Sequence, residues 1–388
     1  MFNQMKRTFS KLTLLWILAL TISCSHSNPN GVSEFKYNIT MTELTEPSWY
    51  DLVDSVSYIT LKSPDNTAMG EIKQLIVDNE RIYILADGFY CFDMEGNCLF
   101  KQTTKGRARN EFMDASSMSV SDGLLFIYDR MQYKGLFFNA LTGQYISTLN
   151  STLHGRAGYC IGDHVIIHNL NDVDEAKFIV LSKENPENIL DNYFSEKEHL
   201  SSIRGTDSWV DDGLIYSSYR RDLAWKMTGT ECIPYISITV PEEQKLPDQL
   251  IDEMIDNGTI SPQGDVRGDY TYGLSEIKEC DGFITGQLND GKSFIYFIFD
   301  KGSGNSRFFK YPAKEVWQQL PIGENVCAGY KDCICAIVKP ESVLFAKSIL
   351  GSIGKEPTQE KFRQAYNAIS SLTENDYAIV ARIWLKGI

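Results

Sequence analysis

The feature that most constrains the fold is a short polar turn that recurs six times between apolar, strand-like runs. The intervals between successive turns are 44, 40, 50, 69 and 50 residues. Most of them fall near the roughly 40–50 residues that one blade of a β-propeller occupies. The turns are Asp78-Asn79, Asp122-Gly123, Gly162-Asp163, Asp212-Gly213, Asp281-Gly282 and Lys331-Asp332. This spacing predicts a ring of six blades.

The first unit shows the pattern of a blade most clearly. Four short runs rich in aromatic and β-branched residues follow one another, over residues 72–77, 81–86, 89–93 and 98–101. Such residues favour strands. The last two runs are joined by Glu95-Gly96, and glycine adopts the positive φ that a tight hairpin turn requires. The unit is therefore predicted to be a meander of four antiparallel strands.

The sixth unit has strands on both sides of its turn but lacks an outer pair. Two strand-like segments remain without partners, residues 53–61 near the start of the chain and residues 377–385 near its end. Pairing them would complete the blade and remove the open edges of the ring. The predicted fold class is an all-β, six-bladed β-propeller of four-stranded antiparallel blades, closed by the N- and C-terminal strands in one blade.

Two parts of the chain follow a helical pattern. Residues 247–257 begin with a proline and carry apolar residues at helical spacing, and residues 341–373 contain similar segments. We therefore expect helical insertions near 247–257 and 341–373. If strands A to D run from the axis outward, both insertions lie on the rim that carries the B–C and D–A connections.

The N-terminus has the pattern of an export signal. A basic stretch with Lys6, Arg7 and Lys11 precedes an apolar run over residues 12–22, which is too short to span a bilayer. The quartet that ends in Cys24 resembles a bacterial lipobox, in which this cysteine becomes the lipidated first residue. A plain signal peptide or an uncleaved anchor is the alternative. The predicted divisions are a signal peptide (1–23), a lipid-anchored tether and lead-in (24–49) and the propeller (50–388).

Charge excludes one class of partner. The net charge is −14, and it becomes about −17 without residues 1–23, which carry three basic residues and no acidic one. Binding to phosphate backbones needs a basic surface, so nucleic acid is not an expected partner. Eight cysteines follow Cys24. Among them Cys333 and Cys335 alternate on an apolar run, which predicts buried strand residues in preference to a metal site.

Polar residues at the ends of the B strands, together with the first D–A connection, form the candidate ligand-binding set. In a propeller these positions converge on one rim around the axial funnel, where loops on a rigid scaffold often bind ligands. Polar residues are also common in any loop, which is the alternative explanation. The predicted set is Arg107, Arg130, His168, Arg220, Arg221 and Asp222.

Signals for catalysis or metal binding are weak. None of the five histidines belongs to an HExxH pattern or a recognisable triad. Residues 171–175 offer carboxylates for Ca²⁺, but the central glycine and distal glutamate of an EF-hand loop are missing. We therefore expect no cofactor and no metal, with Ca²⁺ as the alternative.

The chain resembles the six-bladed β-propeller lipoproteins of Bacteroidetes-type bacteria, which are related to NHL-type propellers. The resemblance lies in Cys24, in DSVSYITLKS (54–63), in FDMEGNCLFKQTTKGRARNEF (92–112) and in AIVARIWLK (378–386). The family phrase GRGPGEF corresponds to residues 106–112, where its Pro-Gly pair is replaced. The resemblance implies an envelope propeller, and it brings no catalytic residues with it.

The resemblance also bears on location. Surface lipoproteins of such bacteria often carry acidic residues directly after the lipidated cysteine, and residues 25–30 contain none. This favours a lipid-anchored, periplasm-facing position in the bacterial cell envelope over the cell surface. The protein is expected to be a monomer that contacts the membrane through its anchor alone.

Two functions are compatible with the sequence. The first is a binding or scaffolding module for a small molecule, a glycan or an envelope protein. The second is a propeller-type hydrolase or lyase at the axial funnel, with His168, Arg130, Arg220 and Asp222 as its first candidates. The enzyme hypothesis requires His168 and at least two of these charged groups to face one cavity.

Overall fold

A computed structural model describes residues 34–47, 49–62, 69–169, 177–194, 205–210, 213–218, 221–257, 270–310, 326–338 and 378–388. Lys36–Ile388 group into one compact unit. Six antiparallel sheets surround a common axis, and the first strand of each is its inner strand. The predicted six-bladed propeller is confirmed.

Each blade is a meander of four strands, lettered A to D from the axis outward. Strands A to D of blade 1 are Gln74–Asp78, Arg81–Leu85, Phe89–Asp93 and Cys98–Gln102. Those of blade 2 are Ala115–Ser121, Leu124–Asp129, Lys134–Asn139 and Tyr145–Asn150. Those of blade 3 are Gly155–Ile161, His164–Asn169, Phe178–Ser182 and Ile189–Tyr193. Strands A to D of blade 4 are Gly205–Val210, Gly213–Ser218, Leu223–Thr228 and Glu231–Thr239. Those of blade 5 are Tyr272–Glu279, Phe283–Asn289, Phe294–Asp300 and Ser306–Lys310. Those of blade 6 are Cys327–Tyr330, Cys333–Val338, Ala378–Leu385 and Val53–Leu61.

Apolar side chains fill the seams between neighbouring blades. Six clusters of buried residues occur, one in each seam around the ring. Blades are covered on both faces, so a strand in the middle of a blade is buried on both sides, as at residues 82–85 in strand B of blade 1. This explains why strands such as Arg81–Leu85 appear in the sequence as continuous apolar runs without alternation.

The two rims of the ring differ in their connections. The A–B and C–D turns are short and lie on one rim, which we call the turn rim. The B–C and D–A connections lie on the other, which we call the connection rim. At Asp122-Gly123 the φ angles are 51° and 73°, as a mirror-image hairpin turn requires.

Two turns differ from their predicted positions by one residue. In blade 4, Gly213 already pairs with Val210 in the ladder, so the predicted turn Asp212-Gly213 is one position too late. In blade 1 the positive φ angles belong to Asn79 (47°) and Glu80 (57°), while Asp78 pairs with Arg81 at the end of the ladder. The predicted turn Asp78-Asn79 is therefore wrong by one position. Asparagine tolerates a positive φ better than most residues, which places the turn one step later.

Both ends of the chain meet in blade 6, as predicted. Ala378–Leu385 pairs with strand B of that blade and with Val53–Leu61, and Val380 lies opposite Ile59. The ring is therefore closed by antiparallel pairing between two segments more than 300 residues apart. A seam next to this blade is tight as well: a Cβ on Gly329 would lie 1.5 Å from the carbonyl oxygen of Glu279 in blade 5.

The segment before Val53 adds strands that the sequence did not predict. Tyr37–Thr40 pairs in parallel with strand D of blade 4, and Leu44–Thr45 pairs in parallel with strand D of blade 5. A short helix, Trp49–Leu52, then leads into blade 6. The lead-in thus covers the outer edges of two blades before it completes a third.

The predicted helix near 247–257 is confirmed as Asp248–Asp256, preceded by the 3₁₀ turn Glu242–Gln244. Its buried side chains Ile251 and Met254 pack against Tyr272 at the start of blade 5. The predicted insertion at 341–373 lies outside the described residues. All eight cysteines after Cys24 are free thiols, and Cys333 and Cys335 are buried strand residues, as predicted.

Polar side chains join the inner strands of blades 2 and 3. The buried Ser117 hydroxyl donates to the Gly158 carbonyl (2.7 Å) and accepts from the Gly158 N–H (2.8 Å). Ser119 makes the same pair of contacts with Cys160, at 3.4 and 2.8 Å. Each hydroxyl therefore satisfies one donor and one acceptor of the neighbouring backbone.

Candidate functional site

A charged cleft opens on the connection rim between blades 1 and 2. Its volume is about 210 Å³. Three connections supply its walls: the approach to strand A of blade 1, the B–C connection of blade 1 and the connection between the two blades. The lining residues are Glu71, Lys73, Ala86, Asp87, Lys105, Met113, Asp114 and Ala115. We call this the rim cleft.

Asp114 is the centre of the ionic contacts in the rim cleft. Its carboxylate accepts from Lys73 Nζ at 2.9 Å and from Arg130 Nε. Lys73 also donates to the Ala115 carbonyl at 3.0 Å. Burial alone would raise the pKa of Asp114, but the hydrogen bonds from Lys73 and Arg130 hold that pKa below its ordinary value. Arg130 is thus anchored at the cleft by a carboxylate that the sequence analysis missed.

A buried carboxylate holds the loops behind the cleft. Asp129 accepts from the backbone N–H groups of Met113 (2.7 Å) and Met131 (2.9 Å) and from Gln132 Nε2 (2.6 Å). The same Gln132 amide donates to the Gly106 carbonyl at 3.1 Å. These contacts fix the connection between blades 1 and 2 against the B–C turn of blade 2. Asp129 is therefore a structural residue of the rim.

Other charges of the rim cleft face solvent. Glu71, Asp87 and Lys105 are exposed, and Asp87 accepts from the Tyr90 hydroxyl at 2.8 Å. Arg107 is exposed in the adjoining connection. The cleft thus offers carboxylates and cationic groups together. Such a surface suits a polar ligand that carries both hydrogen-bond donors and acceptors.

His168 lies elsewhere, inside the seam between blades 3 and 4. Its Nδ1 is 2.6 Å from Oδ2 of Asp207, on strand A of blade 4. The side chains of the two residues are 0 % and 5 % exposed. The imidazole ring lies 4.5 Å from that of Phe178, centroid to centroid. His168 is therefore a buried residue and does not present its ring on the rim surface.

Two atoms of this pair have no hydrogen-bond partner, His168 Nε2 and Asp207 Oδ1. Burial lowers the pKa of His168, and the Asp207 carboxylate only partly opposes that shift. Burial would raise the pKa of Asp207, but the adjacent imidazole outweighs it and the net shift is downward. The chemistry is that of a neutral imidazole which donates from Nδ1 to a carboxylate.

Trp209, two residues after Asp207, closes the axial channel towards the turn rim. Its ring stacks on Tyr159 of blade 3 at 6.0 Å, and it lines a residual cavity of about 10 Å³ together with Leu75, Val120 and Ala328. This is about the space of one water molecule. A ligand at the axis would therefore have to approach from the connection rim.

Asp222 and Arg221 lie in the seam between blades 4 and 5. The Arg221 carbonyl accepts from Leu274 N–H at 3.1 Å, and the Gly273 N–H donates to the Asp222 carboxyl group. Asp222 Oδ1 is shielded from water and has no hydrogen-bond partner. Burial raises the pKa of Asp222 to about 7.

The predicted site residues therefore do not share one cavity. Arg130 belongs to the seam between blades 1 and 2, His168 to that between blades 3 and 4, and Asp222 to that between blades 4 and 5. Arg220 and Cys24 lie outside the described residues. The enzyme hypothesis fails at His168, because its side chain is 0 % exposed inside one seam while Arg130 and Asp222 lie in two other seams.

The sequence analysis missed Lys73, Asp114 and Asp207. The first two lie in loops far apart in the chain, and Asp207 lies in a strand that carries no motif. Within the described residues, no three His, Cys, Asp or Glu side chains come together in a way that could hold a metal ion. Residues 171–175, the candidate Ca²⁺ loop, lie outside them.

A second cavity, of about 350 Å³, lies on the turn rim and is lined by the A–B turns of blades 1, 5 and 6. Its cationic group, Lys331, is bound to Glu80, and Tyr330 donates to the same carboxylate at 2.8 Å. These contacts join blade 6 to blade 1. The rim cleft is the better candidate site, because it lies on the predicted rim and its wall includes the long connection between blades 1 and 2.

The architecture agrees with a family model described as a 6-bladed beta-propeller, which matches residues 28–326. This chain belongs to that family, DUF5128. The resemblance to six-bladed propellers found in the sequence is thereby confirmed. The family model ends before the last strand of blade 6, so it does not include the segment that closes the DUF5128 ring here.

Two solved structures are similar to this DUF5128 chain, and the first of them supports its fold. A candidate exported protein from Bacteroides fragilis superposes with a TM-score of 0.71 at 17% identity, covering 90% of this chain and 100% of its own. A DUF4221 member from Bacteroides vulgatus gives a TM-score of 0.48 at 8% identity, covering 87% and 98%. No curated protein matches the sequence. None of the helices in the described part of the chain has the length and apolar character needed to cross a bilayer.

Proposed function

We propose that this protein is a lipid-anchored envelope protein whose propeller binds a small molecule, a glycan or another envelope protein at the rim cleft. The observation that carries this proposal is the convergence of three connections on one charged cleft of about 210 Å³. The fold holds these loops rigidly, through Asp129 and the Asp114 ion pairs. Loops on a rigid scaffold are where proteins commonly bind ligands.

The N-terminus supports a location in the cell envelope. A basic stretch, a short apolar run and Cys24 form an export signal with a lipobox-like end. The similar Bacteroides fragilis protein is itself described as a candidate exported protein. Together these features support an envelope protein held by a lipid on Cys24. The side of the membrane on which it stands is proposed to be the periplasm.

The binding proposal is tested by a thermal-shift screen of the mature domain with sugars, peptidoglycan fragments and divalent ions. The affinity for a compound that raises the melting temperature is then measured by calorimetry for wild type, for the double variant Lys73→Gln/Lys105→Gln and for the control Lys331→Gln. The control changes a lysine on the turn rim. We expect the double variant to weaken binding at least tenfold and the control to leave it unchanged. Equal affinity of all three proteins would place the site elsewhere.

The anchor is tested by metabolic labelling with a lipid precursor, comparing wild type with Cys24→Ala. We expect label in the wild type alone, and membrane fractionation that follows the label. An unlabelled wild-type protein contradicts the anchor, whatever the ligand screen shows.

A further inference from the structure

The connection between blades 1 and 2 carries a cluster of positive charges on a protein whose net charge is −14. Lys105, Arg107 and Arg109 are exposed in residues 105–112, which we call the basic loop. Within the described part of the chain these three side chains form no ion pair. The acidic residue of the loop, Glu111, is occupied, because its carboxylate accepts from a backbone N–H of the same loop at 3.0 Å. The loop therefore presents cations that have no described counter-ion.

A buried lysine next to the loop adds a further charge. Lys134, on strand C of blade 2, is 6% exposed, and its Nζ donates to the Ala108 carbonyl at 3.2 Å. Among the described residues this ammonium group has that one hydrogen bond and no ion pair. A buried charge without a counter-ion is costly, and a nearby anion would lower that cost. This lysine indicates a negatively charged ligand independently of the exposed side chains.

Side chains of the flanking elements hold the backbone of the basic loop. The Gly106 carbonyl accepts from Gln132 Nε2 at 3.1 Å, and the Arg109 carbonyl accepts from Thr148 Oγ1 at 2.7 Å. Phe112, at the end of the loop, is fully buried. The arginine side chains therefore start from fixed points of the backbone. Less conformational entropy is then lost when a ligand binds to them.

The basic loop extends across the rim end of blade 2. One end adjoins the rim cleft, whose lining includes Lys105 and, on strand A, Ala115. The other end reaches Thr148 on strand D. Strands A and D of a blade are three inter-strand steps apart, which is about 14 Å at about 4.8 Å for each step. The positive surface is therefore long and open, and it suits an extended ligand with several negative charges better than a single ion.

An aromatic surface adjoins the loop. Tyr133 lies between Gln132 and Lys134, which hold the loop, and its ring stacks on that of His154 at 4.3 Å with an interplanar angle of 11°. His154 is exposed, and Met131 is 65% exposed. Sugar rings carry C–H groups on their faces, and these faces pack well on flat aromatic rings. Cations and stacked rings thus lie side by side on this part of the rim.

The contacts of the loop backbone disfavour an extended peptide as the ligand. A peptide that binds as an added strand needs free carbonyl and N–H groups on its partner. In the basic loop the Gly106 N–H donates to the Phe112 carbonyl at 3.1 Å. The carbonyls of Gly106, Ala108 and Arg109 already accept from neighbouring side chains. Recognition is therefore left to charged side chains and rings, which is the combination that a sugar acid requires.

We propose that the basic loop and the Tyr133–His154 stack bind an acidic oligosaccharide. Its carboxylate or sulfate groups lie on Arg107 and Arg109, and one of its sugar rings lies on His154. Arginine suits this role because its planar guanidinium donates two parallel hydrogen bonds to an oxyanion. The inference rests on the proposed function and names its ligand class, since Lys105 belongs to both the loop and the rim cleft.

The test titrates three tetrasaccharides into the full-length protein by calorimetry: tetragalacturonate, a sulfated chondroitin tetrasaccharide and neutral galactotetraose. We expect an acidic tetramer to bind and the neutral one not to bind. The affinity should fall as NaCl is added, because salt screens exposed charges. The acidic tetramer that binds more tightly identifies the anionic group. Binding of neither acidic tetramer, or equal binding of the neutral one, would overturn the inference.

Two double variants locate the site. Arg107→Gln/Arg109→Gln removes two exposed cations of the basic loop, and the control Lys245→Gln/Lys292→Gln removes two exposed cations of the same rim next to blade 5. Both proteins should fold, because all four side chains are exposed. We expect the loop variant to bind the acidic tetramer roughly tenfold or more weakly and the control to match wild type. Equal losses would mean attraction by overall charge alone and would overturn the inference.

A single variant and an acidic peptide test the sugar contact. We expect His154→Ala to bind the acidic tetramer about threefold more weakly, and hexaglutamate to bind wild type more weakly than the tetramer does. Tight binding of hexaglutamate that is unchanged in His154→Ala would indicate an acidic peptide and overturn the inference. If the protein binds no acidic sugar but binds another compound through Lys73 and Lys105, the ligand class is refuted and the proposed function stands.

Discussion

The two seams of blade 3 use different polar chemistry. Towards blade 2, the hydroxyl of Ser117 both donates to and accepts from Gly158, and every buried side-chain nitrogen or oxygen described in that seam has a hydrogen-bond partner. Towards blade 4, His168 and Asp207 satisfy each other through one contact and leave Nε2 and Oδ1 unpaired. The serine hydroxyls of the first seam do not titrate between pH 5 and 8, whereas the contact in the second seam joins two titratable side chains. The comparison indicates that hydroxyls join blades at low cost and that a buried ionisable pair makes its seam sensitive to conditions.

The largest expected effect is the loss of Asp207. Asp207→Ala leaves His168 Nδ1 without its acceptor in a buried seam, which should lower the free energy of unfolding by about 3 kcal/mol. Chemical denaturation at pH 7.5 measures the change. Asp207→Asn keeps an acceptor and serves as the control with a smaller loss. An Asp207→Ala protein as stable as wild type would contradict the view that this pair holds the seam.

Asp222, in the seam between blades 4 and 5, tests whether one buried carboxyl oxygen without a hydrogen-bond partner is enough to make the stability depend on pH. The pKa of Asp222 is raised to about 7 from an ordinary value of 3.8, so the folded state favours the neutral acid. Its contribution is therefore complete at acidic pH and is lost as pH rises from about 4 through 7. Asp222→Asn should be more stable than wild type by a few kcal/mol at pH 8, since one pKa unit corresponds to about 1.4 kcal/mol, and should differ little at pH 4. Parallel stability profiles of the two proteins would contradict the raised pKa.

The histidine seam should respond in the opposite direction. Burial lowers the pKa of His168, so its stabilising contribution is complete above the unfolded value of about 6.5 and is lost as pH falls below it. In this window the free energy of unfolding should fall by at most about 1.4 kcal/mol for each pH unit. His168→Gln can still donate to Asp207 and does not titrate, so the slope should flatten. Denaturation between pH 7.5 and 5 measures it, and identical slopes would assign the effect to other groups.

The smallest expected effect belongs to the hydroxyl seam. Ser117→Ala removes the hydroxyl that pairs with both the N–H and the carbonyl of Gly158, and it should lower the free energy of unfolding by about 1 kcal/mol. The loss should be the same at pH 5 and pH 7.5, as measured by denaturation at both values. A loss that changes with pH would remove the distinction between the two seams.

The sequence predicted the ring because turn spacing and strand content are local. The turn Asp122-Gly123 and the strand at residues 53–61 could be recognised from their own residue types, without knowledge of any tertiary contact. The rim set was less accessible to prediction, because strand position alone does not say which way a side chain points. His168 stands at the rim end of strand B in the sequence, yet its ring lies in the seam with Phe178. The docked lead-in was missed because Tyr37–Thr40 is a short parallel strand and carries no turn signal of its own.

The joint closure of blade 6 has a consequence for the order of folding. Val53–Leu61 is synthesised more than 300 residues before its partner Ala378–Leu385. During the whole of that interval the outer strand has no neighbour, and strand B of blade 6 has an open edge. Blade 6 can therefore form only after the other five blades have been synthesised. A variant that ends at residue 376 lacks the strand that joins the two halves of blade 6, and an added protease should cleave it faster than it cleaves the longer chain.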